Sequence, residues 1–300
     1  MTIGVERPPV TVLSVRHETT YHYDQPAVLS HHLACLMPRG NDVQAVRTFS
    51  LWIYPSPDDA ALVHQDVFGN FRHHFSHSQP HVSLQVVALS TVAVGSPVEP
   101  TGLDMAWEAA RDTLAYRAGV QQPGPAEFAL ASALTAATPA LAALALAHFR
   151  PGRPLRQAAF SLMRGVHAGI AYQAAVTDVG TTAAQALGRG QGVCQDLAHV
   201  MMAAMRSIGL AARYVSGYLL TDPPPGQPRL IGADASHAWV EVWCPLTGWW
   251  PLDPTNACAA GAGHVVLAWG RDYADVAPLR GVVQGAMPPV PVVAVTVAPA

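Results

Sequence analysis

Between Gly188 and Gly209 three closely spaced glycines lead into a run whose apolar residues, Leu197, Val200, Met201, Ala204, Met205 and Ile208, fall at i, i+3, i+4, i+7 spacing. That is the pattern of a helix with a buried face, and Gly209 supplies its C-terminal stop. Such a helix needs other elements to cover it. Upstream, residues 104–116, 126–135, 139–149 and 154–169 favour helix through their Ala, Leu, Arg and Met content. Downstream, residues 211–220, 237–243 and 249–253 read as strands. Helices followed by an antiparallel sheet make this half of the chain α+β.

The first hundred residues have a different texture. Residues 10–17, 46–54 and 82–94 are rich in β-branched and aromatic side chains with partial period-two alternation, and Pro38-Arg-Gly-Asn, Pro55-Ser-Pro-Asp-Asp and Phe68-Gly-Asn punctuate them. This predicts an antiparallel β domain over residues 1–100 and a second domain over 101–300, with the boundary near residue 100. Nine of the 14 histidines fall in the first 81 residues. No regular ligand pair recurs beside a carboxylate, so these are expected to be solvent-facing strand residues rather than a metal site.

Composition removes several function classes. Half the residues are hydrophobic and only 12% are charged, which excludes a disordered chain. All 17 basic residues are arginine, so no P-loop lysine, Schiff-base lysine or Ser-Lys dyad is available. A net charge of −3 without a basic block gives no footprint for nucleic acid. Four scattered cysteines, Cys35, Cys194, Cys244 and Cys258, contain no Cys-x-x-Cys pair, which argues against a disulfide framework or structural zinc. The apolar run at 139–149 is about half the ~20 residues of a membrane span. The N-terminal charge and prolines interrupt any signal-peptide core, so a cytoplasmic protein without cofactor or membrane partner is expected.

Cys194 stands where the buried helix begins, and free backbone N–H groups and the helix dipole favour a thiolate there. Ser236-His-Ala-Trp-Val-Glu-Val-Trp is an alternating strand beginning at His237, and Trp249-Trp-Pro-Leu-Asp-Pro-Thr-Asn runs back after a turn. His237 and Asp253 then lie near one end of a hairpin, where a carboxylate can fix the imidazole tautomer and leave the other nitrogen facing a thiol. A register pairing Cys244 with Trp249 would instead set Asn256 opposite His237, so Asn256 is the reserve to Asp253.

Gly192-Val-Cys-Gln-Asp with its helix, Arg213-Tyr-Val-Ser-Gly-Tyr, Ser236-His-Ala-Trp-Val-Glu-Val and Gly248-Trp-Trp-Pro-Leu-Asp-Pro-Thr-Asn resemble the bacterial transglutaminase-like superfamily of papain-type cysteine enzymes. Tyr21-His-Tyr, Leu36-Met-Pro-Arg and Asp66-Val-Phe-Gly-Asn are similar to the β region preceding that core, and the segment from Gly270 resembles its C-terminal part. The resemblance implies Cys194 as nucleophile, His237 as general base and then acid, and Asp253 as orienter. Animal transglutaminases carry Trp directly after the nucleophile, whereas Gln195 stands here.

The expected activity is cleavage of an amide or peptide bond in a peptide or protein through a thioester, with hydrolysis favoured over transfer to an external amine. A non-catalytic scaffold is the rival class, and a redox thiol is disfavoured because no resolving cysteine lies near Cys194 in sequence. Gln191 is a candidate oxyanion donor, and Trp239 a candidate wall of an acyl groove or a core aromatic. Asp196 is expected to cap the helix and His199 to be a packed helix residue. Arg271, Asp272 and Tyr273 either contact substrate or latch the C-terminus. The oligomeric state is left open.

Overall fold

The structure, a computed structural model, describes residues 10–96, 103–121, 124–221, 236–287 and 289–300. The expected domain boundary near residue 100 lies outside the described residues. Two four-stranded antiparallel sheets form the β half. One has the order β15-β1-β6-β3, with β1 Val10–Ala27, β3 Gln44–Tyr54, β6 His81–Gly95 and β15 Val292–Pro299. The other has the order β14-β2-β5-β4, with β2 Leu29–Ala34, β4 Leu62–Gln65, β5 Phe71–His77 and β14 Leu279–Gln284. Tyr23, Leu84, Val86 and Ala88 of the first sheet bury against Leu36 and Phe75.

The C-terminal strands depart from the expected grouping of residues 101–300. Val292–Pro299 pairs with β1 and Leu279–Gln284 with β2, so the end of the chain completes both N-terminal sheets. The histidines depart as well. His17, His32, His73, His77 and His81 are buried, whereas the expectation placed them in solvent. His32 on β2 stacks on Phe75, His77 on β5 packs against His81 at the start of β6, and His17 on β1 hydrogen-bonds the Tyr218 hydroxyl.

In the second half, α1 Trp107–Leu114, α2 Pro139–His148, α3 Leu155–Gly169 and α4 Ala183–Arg189 precede α5 Cys194–Ser207. A five-stranded antiparallel sheet follows, in the order β12-β11-β10-β9-β13, built from β9 Ala212–Leu219, β10 Ser236–Cys244, β11 Gly248–Asp253, β12 Cys258–Ala259 and β13 His264–Gly270. The short α6 is Tyr273–Val276. Every residue of α5 from Gln195 to Arg206 is buried. The sequence announces one apolar face; the structure buries the helix all round, with α2, α3 and α4 packed on it along with β9 and β10.

Residues 126–135 do not form the expected α-helix but a 3-10 turn, Gly124–Ala129, followed by loop. Arg206 explains the interruption. Its guanidinium donates to Phe128 O (2.9 Å), Ala212 O (2.7 Å) and Thr135 Oγ1 (2.8 Å), diverting a carbonyl that a continuing helix would use. Ser132 and Thr135 also bond each other (2.6 Å), a local alternative to helix.

The two halves meet along the outer edge of β13. Gln44 exchanges two hydrogen bonds with the Val266 backbone (2.7 and 2.8 Å), and Asn70 two with Trp269 (2.8 and 3.0 Å). Two buried carboxamides thus satisfy an edge that would otherwise present unpaired peptide groups. Arg39 from the β half and Arg213 from β9 lie over the Trp269 ring, 3.1 and 3.6 Å from its centroid.

Replacing Arg206 by Met should lower the unfolding free energy by about 3 kcal/mol, because buried acceptors at Phe128, Ala212 and Thr135 lose their donor. Urea denaturation followed by circular dichroism checks this, and an unchanged midpoint would contradict the role given to Arg206.

Candidate active site

Cys194 is the first residue of α5, with Val193 as the N-cap. Valine has no side-chain acceptor, and Asp196 supplies the cap instead: its Oδ2 accepts from the Val193 N–H (2.8 Å) and from Thr177 Oγ1 (2.7 Å). Gly192 permits that return, since a Cβ there would sit 2.6 Å from the Asp196 side chain. The preceding segment is held by a parallel pairing of β7 Ala171–Tyr172 with β8 Gln191–Gly192. Gln195 is buried, and its amide donates to Val179 O (3.1 Å).

His237 opens β10, and Asp253 closes β11. The observed register pairs Trp243 with Trp249 and ends at Val240 opposite Leu252; beyond it the chain turns so that Asp253 reaches back under His237. His237 Nε2 donates to Asp253 Oδ2 at 2.8 Å. The ring also hydrogen-bonds Cys194, which leaves Nδ1 for the sulfur. Asn256 Nδ2 is farther from His237 Nε2, at 3.5 Å, and is committed to Asp253 Oδ2 at 2.7 Å. Of the two candidate partners for His237, Asp253 is therefore the direct one, and the Asn256 amide hydrogen-bonds that carboxylate.

Asp253 is fully buried, and five donors surround it. Oδ2 accepts from His237, from Asn256 Nδ2 and from His264 Nε2 (3.2 Å); Oδ1 accepts from the backbone N–H groups of Thr255 (2.9 Å) and Asn256 (3.1 Å). Burial alone would raise its pKa, but the bonds from His237 and His264 outweigh it and hold the carboxyl well below the usual range. For His237, burial alone would favour the neutral ring, yet the bond to Asp253 and the one to Cys194 carry its pKa up to about 9. Such a site can hold an imidazolium beside a sulfur.

The remaining expected residues divide. Gln191 is exposed on β8. Trp239 is 1% exposed, among Val215, Ala260 and Val266, and so has no surface for a substrate; the groove assignment is corrected to core. His199 is fully buried and its Nε2 accepts from Tyr273 N–H (3.2 Å), burial pushing its pKa down to about 4. Asp272 caps α6 through Ala274 N–H and Arg271 pairs with Asp275 at 2.9 Å, bonds within the segment, while the Tyr273 N–H bond to His199 fastens it to α5.

Two neighbours escaped the sequence reading. Tyr172 is largely exposed, and the partial desolvation it does have, together with the nearby Cys194 charge, raises its phenol; no motif in the sequence marks it. His264 carried no signal, because it lies beyond the hairpin that defined the site. Among the described residues, His237, Asp253 and His264 are the three groups whose ligand atoms lie within 4.8 Å of one another. No helix among those residues is long and apolar enough to cross a membrane.

A thiol at a helix N-terminus, faced by an imidazole that a buried carboxylate holds on the adjoining antiparallel sheet, defines a cysteine-dependent enzyme fold. Residues 143–254 match the model of the transglutaminase-like superfamily, and residues 13–93 that of the bacterial transglutaminase-like N-terminal region. The chain belongs to the bacterial transglutaminase-like superfamily. It is 38% identical to an uncharacterized protein of Mycobacterium tuberculosis over 90% of this chain and 86% of the relative. A protein-glutamine gamma-glutamyltransferase of Pseudomonas aeruginosa is 36% identical over 29% of this chain and 14% of its own length. Among solved structures, a protein of Cytophaga hutchinsonii described as a candidate cysteine protease superposes with a TM-score of 0.73, covering 97% of this chain and 92% of that one at 18% identity, a likeness of fold.

The pKa of His237 has a signed consequence. Raised from 6.5 to about 9, it contributes stability that is fully present below about pH 6.5 and is lost as pH rises through about 9. In NMR of labelled imidazole the ring should titrate near pH 9, and in Cys194→Ala the midpoint should fall as the hydrogen bond and charge of the sulfur are removed. Equal midpoints in the two proteins would mean that the sulfur does not face the ring.

Proposed function

We propose that the protein is a cysteine-dependent acyl-transfer enzyme acting on an amide or peptide bond of a peptide or protein, with Cys194 as nucleophile, His237 as proton carrier and Asp253 as its orienter. The observation that carries this reading is the continuous hydrogen-bonded line from the Cys194 sulfur through His237 to the buried Asp253 carboxylate. The thiolate attacks the carbonyl carbon and the tetrahedral oxyanion forms. We assign its donors to the backbone N–H of Cys194, unused at a helix start, and the exposed Gln191 amide. The C–N bond then breaks, the His237 imidazolium gives its proton to the departing amine, and a thioester remains on Cys194. Water, losing a proton to His237, attacks the thioester, releases the acid and restores the thiol.

An amine in place of that water would make the enzyme a transferase. The partial match to the Pseudomonas aeruginosa gamma-glutamyltransferase supports this second reading. Since the chain contains no lysine, any lysine acceptor comes from another molecule. Hydrolysis remains the preferred outcome because water needs no second binding site.

Iodoacetamide at neutral pH should alkylate one cysteine at least about tenfold faster than the other three, and Cys194→Ala should abolish that fast phase. His237→Ala should remove turnover of an amide or γ-glutamyl library. Uniformly slow labelling of all four thiols, or turnover that survives His237→Ala, would refute the mechanism.

A further inference from the structure

We infer that His264 is a positioning residue of this site: its Nε2–H donates to Asp253 Oδ2 and holds the carboxylate aimed at His237. The inference rests on the reading of Cys194 as nucleophile and His237 as its proton carrier. The geometry fixes the tautomer of His264. Gly261 N–H donates to His264 Nδ1 at 3.2 Å, so that nitrogen is an acceptor and carries no proton. The ring's proton therefore sits on Nε2, 3.2 Å from Asp253 Oδ2. The ring is also wedged edge-on against Trp239, 5.3 Å between centroids, with its side chain 9% exposed.

What His264 adds is an anchor from outside the turn. The other donors to Asp253 besides His237 are the Thr255 and Asn256 backbone groups and the Asn256 amide, all in the turn that follows Asp253 itself. Those groups move with the carboxylate. His264 opens β13, a strand separated from β10 by β9, and ties Asp253, at the end of β11, to the far edge of the sheet they share with His237. The next strand residue but one, Val266, is clamped by Gln44 from the β half.

A divalent cation is the other occupant that two imidazoles and a carboxylate within 4.8 Å suggest. The same tautomer argues against it. To offer Nε2 as a ligand, a neutral His264 must carry its proton on Nδ1, and there it would point at the Gly261 N–H.

The test reads the rate of Cys194 alkylation by iodoacetamide at pH 7 in wild type, His264→Leu and His264→Gln, with thermal unfolding as a control. Leucine keeps bulk but no donor; glutamine places an amide N–H near the position of Nε2. His264→Leu is expected to react about tenfold more slowly, and His264→Gln to recover to within about threefold of wild type. A His264→Leu rate equal to wild type overturns the inference while leaving Cys194 as nucleophile. So does a folded His264→Gln as slow as the leucine variant, which would reduce His264 to packing. If the leucine variant does not fold, the glutamine variant decides alone, together with 15N NMR of wild type. There His264 should show a protonated Nε2 and an unprotonated Nδ1 at pH 7; a protonated Nδ1 overturns the proposal. A wild type whose Cys194 labels no faster than Cys35, Cys244 and Cys258 overturns the nucleophile reading itself, and this inference with it.

Discussion

A carboxylate with no exposure to solvent has to be surrounded by donors, and Asp253 sets that condition for everything near it. An isolated buried charge costs several kcal/mol, so the chain around it is arranged to return that loss in hydrogen bonds. The turn after β11 closes so that two backbone N–H groups meet Oδ1, and Asn256 folds its amide back onto Oδ2. The strands on either side of β9 then deliver one histidine each, His237 from β10 and His264 from β13. Removing the carboxylate would leave all of these donors without their acceptor. It is the one group that the hairpin, the turn and the far strand all serve.

The same strand joins the site to the β half. β13 begins at His264, and its outer edge is closed by Gln44 and Asn70 at Val266 and Trp269. Asn70 is placed for this by Asp66, whose carboxylate accepts from the Phe68 and Asn70 N–H groups and from the Asn70 amide. Arg39 donates to both Phe68 O and Asn70 Oδ1 while its guanidinium lies over Trp269. A buried ion pair, Arg213 with Glu241, stands on the other side of the same tryptophan. Breaking either partner would leave a charge unpaired beside that tryptophan. The last two strands reinforce it by completing both N-terminal sheets.

Much of this was readable in the residues. The strands at 10–17, 46–54 and 82–94 are found, lengthened, as Val10–Ala27, Gln44–Tyr54 and His81–Gly95, because long β-branched runs leave few alternatives. The start of α5 at Cys194 and the hairpin bearing His237 and Asp253 followed from a glycine run, an apolar period and strand alternation. The failures share one cause, which is contact between parts distant in sequence. Residues 126–135 have helical composition but lose a carbonyl to Arg206, more than seventy positions away. The buried histidines of β5 depend on which sheet covers them, and His264 on how a strand two places over is registered. Asp66-Val-Phe-Gly-Asn was legible as a motif, yet its use, holding Asn70 against β13, requires knowing that β13 has a bare edge.

Gln195, which stands where animal transglutaminases carry Trp, has a physical role in this structure. A tryptophan at this place would have no amide to give, whereas Gln195 donates to Val179 O and Asp196 accepts from Thr177. The first turn of the helix that carries Cys194 therefore holds down the loop running from Tyr172 toward α4. Thiol, cap and loop form one unit, because the helix turn that begins with Cys194 is also the one that Asp196 caps and that Gln195 and Asp196 tie to the loop at Val179 and Thr177.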